Sequence, residues 1–217
     1  MATPVKVYGP PFSTAVSRVL ACLLEKDVPF QLVPISMAKG EQKKPDYLKI
    51  QPFGQVPAFQ DDEITLFESR AICRYIAEKY QNKGTIGLFG TNPLVKASID
   101  QWLEAESQSF NPPSSILTFQ LFFAPRMKMK QDEALIKQNE SKLLKVLNVY
   151  EKRLGVSRYL AGDEFTLADL SHLPNTQYLV EKTNRAELFK SRKNVGRWWE
   201  EISTRPCWKK VVEMQNA

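Results

Sequence analysis

Two short stretches of this chain could hold a small peptide. In Phe53-Gly54-Gln55-Val56-Pro57-Ala58-Phe59, the apolar residues around Val56 and Phe59 ask for a strand. Pro57 has no backbone N–H and would interrupt a continuous ladder. A cis Val56–Pro57 bond resolves the conflict: it turns the chain and leaves the N–H and C=O of Val56 unpaired, able to bond in antiparallel fashion to a peptide backbone. Further on, Phe67-Glu68-Ser69-Arg70-Ala71-Ile72 reads as a strand running into a helix. A serine hydroxyl beside the unpaired amides of a helix start forms a seat for a carboxylate. Taken alone, the first stretch is equally a stability turn and the second an ordinary helix cap.

The elements that must position these residues follow from periodicity. Val5 to Tyr8 is a short apolar strand ended by Gly9-Pro10-Pro11. Val16, Val19, Leu20, Leu23 and Leu24 then recur at helical spacing, predicting an amphipathic helix from Ser13 to Lys26. Phe30 to Ile35 reads as a second strand and Pro45 to Ile50 as a short helix or turn. Ala58 to Gln60 and Ile64 to Phe67 read as a hairpin closed by Asp61-Asp62-Glu63, with a helix from Glu68 to about Tyr80. The order βαβ, short α, ββα puts helices on both faces of a small mixed sheet.

Beyond Gln81 the pattern changes. Gln81 to Asn92, with Gly84, Gly87 and Gly90, carries no helical stripe and reads as a linker. A long helix is predicted from Leu94 to about Phe123, bent or broken around Asn111-Pro112-Pro113. Another spans Asp132 to Leu154, with Leu143, Leu147, Tyr150 and Leu154 along one seam. Thr166 and Asp169 form a capping box stapled by Phe165 and Leu170, a structural feature. Trp198, Trp199 and Trp208 are expected in the core of the terminal helices. The division is 1–82, a linker at 83–92, and an all-helical 93–217.

Composition excludes several classes. No apolar run approaches the roughly 18 residues of a membrane span, and Met1 to Lys6 is not followed by the apolar core of a signal peptide. A cytoplasmic protein without membrane contact is expected. The three cysteines, Cys22, Cys73 and Cys207, suggest neither a disulfide framework nor a zinc site, and a lone histidine, His172, rules out a multi-histidine metal centre. The net charge of +6 resides mainly after residue 80, where 20 basic residues face 15 acidic ones. That mixture reads as a solvated helical surface and not as a nucleic-acid interface.

The Gln55-Val56-Pro57 turn, the Glu68-Ser69 helix start, the linker, the helical second half and Thr166-Leu167-Ala168-Asp169 together resemble the cytosolic glutathione transferases over the whole chain. Tyr8-Gly9-Pro10-Pro11-Phe12-Ser13-Thr14-Ala15 and Gly40-Glu41-Gln42-Lys43-Lys44-Pro45 are similar to the phi class known from plants. The resemblance implies a thioredoxin-like domain followed by an all-helical one. It also implies glutathione as cosubstrate, no tightly bound cofactor, and a two-fold homodimer.

What the resemblance implies for single residues can be stated chemically. A thiol with a pKa near 8.5 is mostly protonated at neutral pH, so the protein must favour the nucleophilic thiolate. Ser13 would donate a hydrogen bond to that sulfur from the start of the first helix, where the macrodipole adds positive potential. A Ser-His-acid triad is not expected, since His172 lies 159 positions away in the helical half. Gln55 and Val56 would hold the cysteinyl backbone, Glu68 the γ-glutamyl ammonium and Ser69 its carboxylate. The glycyl carboxylate would meet Gln42 and Lys43. Gln42 stands where many phi-class chains carry histidine and brings no charge, which leaves Lys43 as the cation. A hydrophobic electrophile would be received where the two domains meet, by Phe12, Ile35 and Met37 with Phe119, Phe123 and Tyr178. The reaction is then thioether formation, with glutathione-dependent hydroperoxide reduction as a side activity. A non-catalytic carrier of hydrophobic ligands is the alternative.

Overall fold

The computed structural model describes residues 4–216. Its described residues divide into two contact units, one reaching Phe89 and including the chain from Pro206 onward, the other spanning Gly90–Arg205.

The first unit is a four-stranded mixed sheet in the order β2-β1-β3-β4, formed by β1 (Val5–Tyr8), β2 (Phe30–Val33), β3 (Ala58–Gln60) and β4 (Thr65–Phe67). β1 pairs in parallel with β2 and antiparallel with β3, which pairs antiparallel with β4. The expected second strand stops two residues early, because Pro34 follows Val33 and cannot donate to the ladder. Successive strand residues face opposite ways. Val5, Val7 and Phe59 are buried on one face, while Tyr8, Gln60 and Val33 share a cavity with Tyr47 of α2 (Pro45–Leu48) on the other. Helices α1 (Thr14–Glu25) and α3 (Ser69–Lys79) pack together, and Val16, Val19, Leu20 and Leu23 are fully buried, as their spacing predicts.

Two later segments of the chain are fastened to this unit. Buried Lys26 donates to the carbonyls of Gln81 and Thr85, and Glu25 accepts from the Thr85 hydroxyl, so the linker is fastened to the end of α1. The last helix, α12 (Pro206–Asn216), groups with the first unit and not with residues 93–205. It packs on α1, buries Trp208 and Val211, and donates from Gln215 to the Ser17 hydroxyl at 2.8 Å.

The hairpin is locked by Asp61, which accepts from Tyr75, Lys79 and the amides of Glu63 and Ile64. Burial alone would raise its carboxyl, but these donors outweigh it and hold the pKa at about 2. A depressed carboxylate contributes stability above the ordinary aspartate range, and that contribution is lost as pH falls from about 4 towards 2. Asp61→Asn is therefore expected to cost about 2 kcal/mol at pH 7 and almost nothing near pH 2. Urea midpoints at the two pH values check this, and an equal loss at both would contradict it.

The second unit is helical. The expected long helix is present as α4 (Pro93–Ala105), α5 (Asn111–Thr118) and α6 (Ala124–Arg126), joined by π-turns at Glu106–Phe110 and Phe119–Phe123. It continues without a break, and each π-turn comes just before prolines, Pro112-Pro113 and Pro125. A proline removes the i to i−4 bond and crowds that carbonyl, and widening the preceding turn accommodates both. Then follow α7 (Glu133–Leu154), α8 (Leu167–Leu170), α9 (Leu173–Glu181), α10 (Glu187–Lys190) and α11 (Lys193–Ser203). The α7 seam residues are buried, Trp198 and Trp199 are buried, and the Thr166/Asp169 capping box is formed.

Candidate functional site

The loop from Gly9 to Ser13 connects β1 to α1 and carries Ser13 to the N-cap position. Ser13 has extended backbone, yet its hydroxyl makes no capping hydrogen bond. The neighbouring Ser17 instead donates to the carbonyls of Pro11 and Ser13 and fixes the loop. The hydroxyl of Ser13 therefore stays available at the positive end of a 12-residue helix.

The Val56–Pro57 bond is cis, and β3 begins only at Ala58, so Val56 lies outside the ladder. Gly9 ties this turn to the Ser13 loop. At its φ of +138° a Cβ would stand 2.6 Å from a Val16 methyl and 2.9 Å from Val56 Cβ. Gly9→Ala should drive the two loops apart, destabilise the protein by about 1–3 kcal/mol and raise KM for a peptide held by both. Thermal melting and substrate saturation curves test this, and an unchanged KM would contradict it.

Two residues that the sequence did not mark hold Gln55 in place. The Tyr47 hydroxyl donates to the Gln55 carbonyl at 2.8 Å, while the buried Gln51 side chain accepts from the Gln55 amide at 3.3 Å. Burial raises the Tyr47 phenol to about 12, so it remains a donor at neutral pH. The Gln42-Lys43 loop lies over Gly54, whose φ is +59°, and a Cβ there would stand 2.6 Å from Lys43 Cδ and 2.9 Å from the Gln42 carbonyl. Lys43 donates to the Phe53 carbonyl at 3.0 Å and is exposed, and Gln42 buries its side-chain oxygen without a hydrogen-bond partner among the described residues. These contacts hold Gln42 and Lys43 against the loop that carries Gln55 and Val56.

Glu68 is the N-cap residue of α3, with φ +67° and an exposed side chain. A glutamate with positive φ is uncommon, and such strain clusters at ligand clamps. Ser69 opens the helix and is buried, with its Oγ accepting from the Arg18 guanidinium at 2.8 Å. Arg18 was missed in the sequence because it lies opposite the apolar stripe of α1, on the face where arginine usually reads as solvated.

The predicted electrophile residues fall in several places. Phe12 and Met37 are exposed in the first unit, and Ile35 lines the cavity of about 430 Å³ beneath α2 with Tyr8, Val33, Tyr47 and Ile50. In the second unit, Phe119 is exposed on a π-turn, while Phe122 and Phe123 pack against buried Tyr178. Burial lifts the Tyr178 phenol to about 12. His172 is a core residue: its Nδ1 donates to the Ala168 carbonyl at 2.7 Å, leaving Nε2 to accept from Tyr150 at 2.9 Å. Among the described residues no cluster could hold a metal, and no helix is long and apolar enough to cross a membrane. Cys22 and Cys73 are buried and Cys207 is half-buried.

Known proteins match both halves of the chain. Residues 3–78 match the family described as glutathione S-transferase, N-terminal domain, and residues 110–206 match glutathione S-transferase, C-terminal domain. Glutathione S-transferase F9 of Arabidopsis thaliana is 48% identical over 96% of each chain. The crystal structure of glutathione transferase F2 from Populus trichocarpa is 71% identical with a TM-score of 0.97, covering 98% of this chain and 99% of that one. A maize glutathione S-transferase I solved with an atrazine glutathione conjugate is 37% identical, with a TM-score of 0.91 and 99% of each chain covered.

Proposed function

The chain belongs to the glutathione S-transferase family, in its phi class, and from that premise we propose how its residues carry out conjugation. The enzyme joins the sulfur of glutathione to an electrophilic carbon. Ser13 donates its hydroxyl hydrogen to the sulfur and stabilises the thiolate. The observation that carries this assignment is the Ser13 hydroxyl, which sits at a helix N-terminus without capping it, on a loop packed against the Val56 turn.

The rest of the site divides the tripeptide among its charges. The amide and carbonyl of Val56 pair with the cysteinyl backbone, on a loop held by Tyr47 and Gln51. Glu68 meets the γ-glutamyl ammonium, and Ser69 with the first amides of α3 meets the adjacent carboxylate. The glycyl carboxylate is received by Lys43, whose single observed bond to Phe53 leaves two of its three donors for a ligand, with the Gln42 amide beside it. Phe12 and Met37 in the first unit and Phe119 and Phe123 in the second offer apolar surface to the electrophile; Ile35 and Tyr178 complete the proposed set. The same thiolate can attack a hydroperoxide, in which case two glutathiones yield their disulfide, an alcohol and water.

A glutathione-binding domain of residues 1–82, a linker at 83–92 and a helical domain of 93–217 whose last helix packs on α1, a homodimer, and a cytoplasmic location complete the proposal. Light scattering at twice the monomer mass would support the dimer, and a monomer mass would overturn it. Incubation with glutathione and an aryl halide, followed by mass spectrometry, tests the activity. A thioether product with halide release is expected, and glutathione binding without product would favour the carrier alternative.

A further inference from the structure

Resting on that reading of the glutathione site, we infer that Arg18 is a positioning residue for the γ-glutamyl carboxylate, acting through the hydroxyl of Ser69. Arg18 belongs to α1 and Ser69 to α3, and both lie in the seam between the two helices, 2% and 4% exposed. Burying a guanidinium is unfavourable unless its donors are satisfied and its charge has a use. In this seam an apolar side chain would pack the helices without that penalty.

The hydrogen-bond polarity shows what one of these donors does. Arg18 Nη1 donates to Ser69 Oγ at 2.8 Å. A serine hydroxyl has one hydrogen and two lone pairs, and a guanidinium can only donate. Arg18 therefore takes a lone pair of Ser69 and turns the hydroxyl hydrogen away from itself. Ser69 is the first residue of α3 and not its N-cap, which is Glu68, so its oxygen is not required to cap the helix. The hydroxyl is left as a donor at the helix start, with a buried positive charge behind it. That is the polarity a carboxylate needs and the wrong one for an ammonium group, which Ser69 would otherwise serve equally well as an acceptor. The same α1 thus presents the sulfur's donor at Ser13 and, about one turn later, orients the carboxylate's donor.

A purely structural role, holding α1 to α3, would affect every substrate alike, and this difference supplies the test. KM and kcat are measured for glutathione and for γ-aminobutyryl-cysteinyl-glycine, which keeps the amine but lacks the α-carboxylate. They are compared in the unmodified enzyme, Arg18→Met, Arg18→Lys, Ser69→Ala and the Arg18→Met/Ser69→Ala double variant. Arg18→Met is expected to raise KM for glutathione about tenfold, the order expected when a hydrogen bond to a charged group is lost, and to leave KM for the decarboxylated tripeptide unchanged. Arg18→Lys should recover part of the loss, and the double variant should be no worse than Ser69→Ala. Equal KM changes for both tripeptides, or additive effects of the two substitutions, would overturn the inference. If Arg18→Met does not fold, the same tripeptide comparison is read from Arg18→Lys. Should the unmodified enzyme itself fail to distinguish the two tripeptides, the assignment of Ser69 to the carboxylate fails first.

Discussion

Ser13→Ala is expected to slow conjugation about 10- to 100-fold at neutral pH, the magnitude of one hydrogen bond to a charged group, and to raise the pKa of bound glutathione by about 1–2. The sign of the pH dependence follows from the thiolate being the nucleophile. In the variant the rate should climb with pH and approach that of the parent enzyme once the thiol ionises unaided, near its free pKa of about 8.5. The fold should be unaffected, because the hydroxyl makes no cap bond and the loop is held by Ser17. Losing a working serine cap would instead cost about 1 kcal/mol. A variant that loses stability but keeps its rate would make Ser13 a cap and nothing more.

The largest expected structural effect lies far from this chemistry in sequence. Asp169 is fully buried and accepts from the amides of Leu160 and Thr166, the Thr166 hydroxyl and the Trp198 indole. Burial pushes its carboxyl up to about 6 against the pull of these four donors, so it is still ionised at neutral pH. Asp169→Ala would leave all four donors buried and unpaired, at about 1–3 kcal/mol each before relaxation. A total loss of about 5 kcal/mol is comparable to the whole stability of many domains. The variant is expected to be largely insoluble or to melt far below the parent. Asp169→Asn retains an acceptor for Leu160 and Trp198 but turns an NH2 toward Thr166, and should fall between. Near-parental melting of Asp169→Ala would show that the box is dispensable.

Features written in adjacent residues are legible in the sequence. The α1 stripe, the break at Gly9-Pro10-Pro11, the conflict around Pro57 and the Thr166/Asp169 box are all of this kind, since caps, turns and periodicity depend on neighbours along the chain. The stopping of β2 at Val33 and the two π-turns were also written there, in Pro34, Pro112-Pro113 and Pro125, though only the bend near residue 112 was expected. What escaped depends on contacts between distant residues. Nothing near Tyr47 indicates that its hydroxyl reaches Gln55, and nothing near Arg18 indicates a serine 51 positions away. The positive φ of Glu68 was hidden because glycine or asparagine normally signals that conformation. The return of the last helix to the first unit rests on Trp208, Val211 and Gln215, whose spacing says only that one face is buried.

The central claim is that Ser13 stabilises a glutathione thiolate, and a pH titration of the ultraviolet thiolate absorbance of glutathione bound to the enzyme tests it most directly. The unmodified enzyme should show a thiol pKa well below the free value of about 8.5, and Ser13→Ala should return it close to that value with glutathione still bound. The same depressed pKa in both proteins would contradict the account.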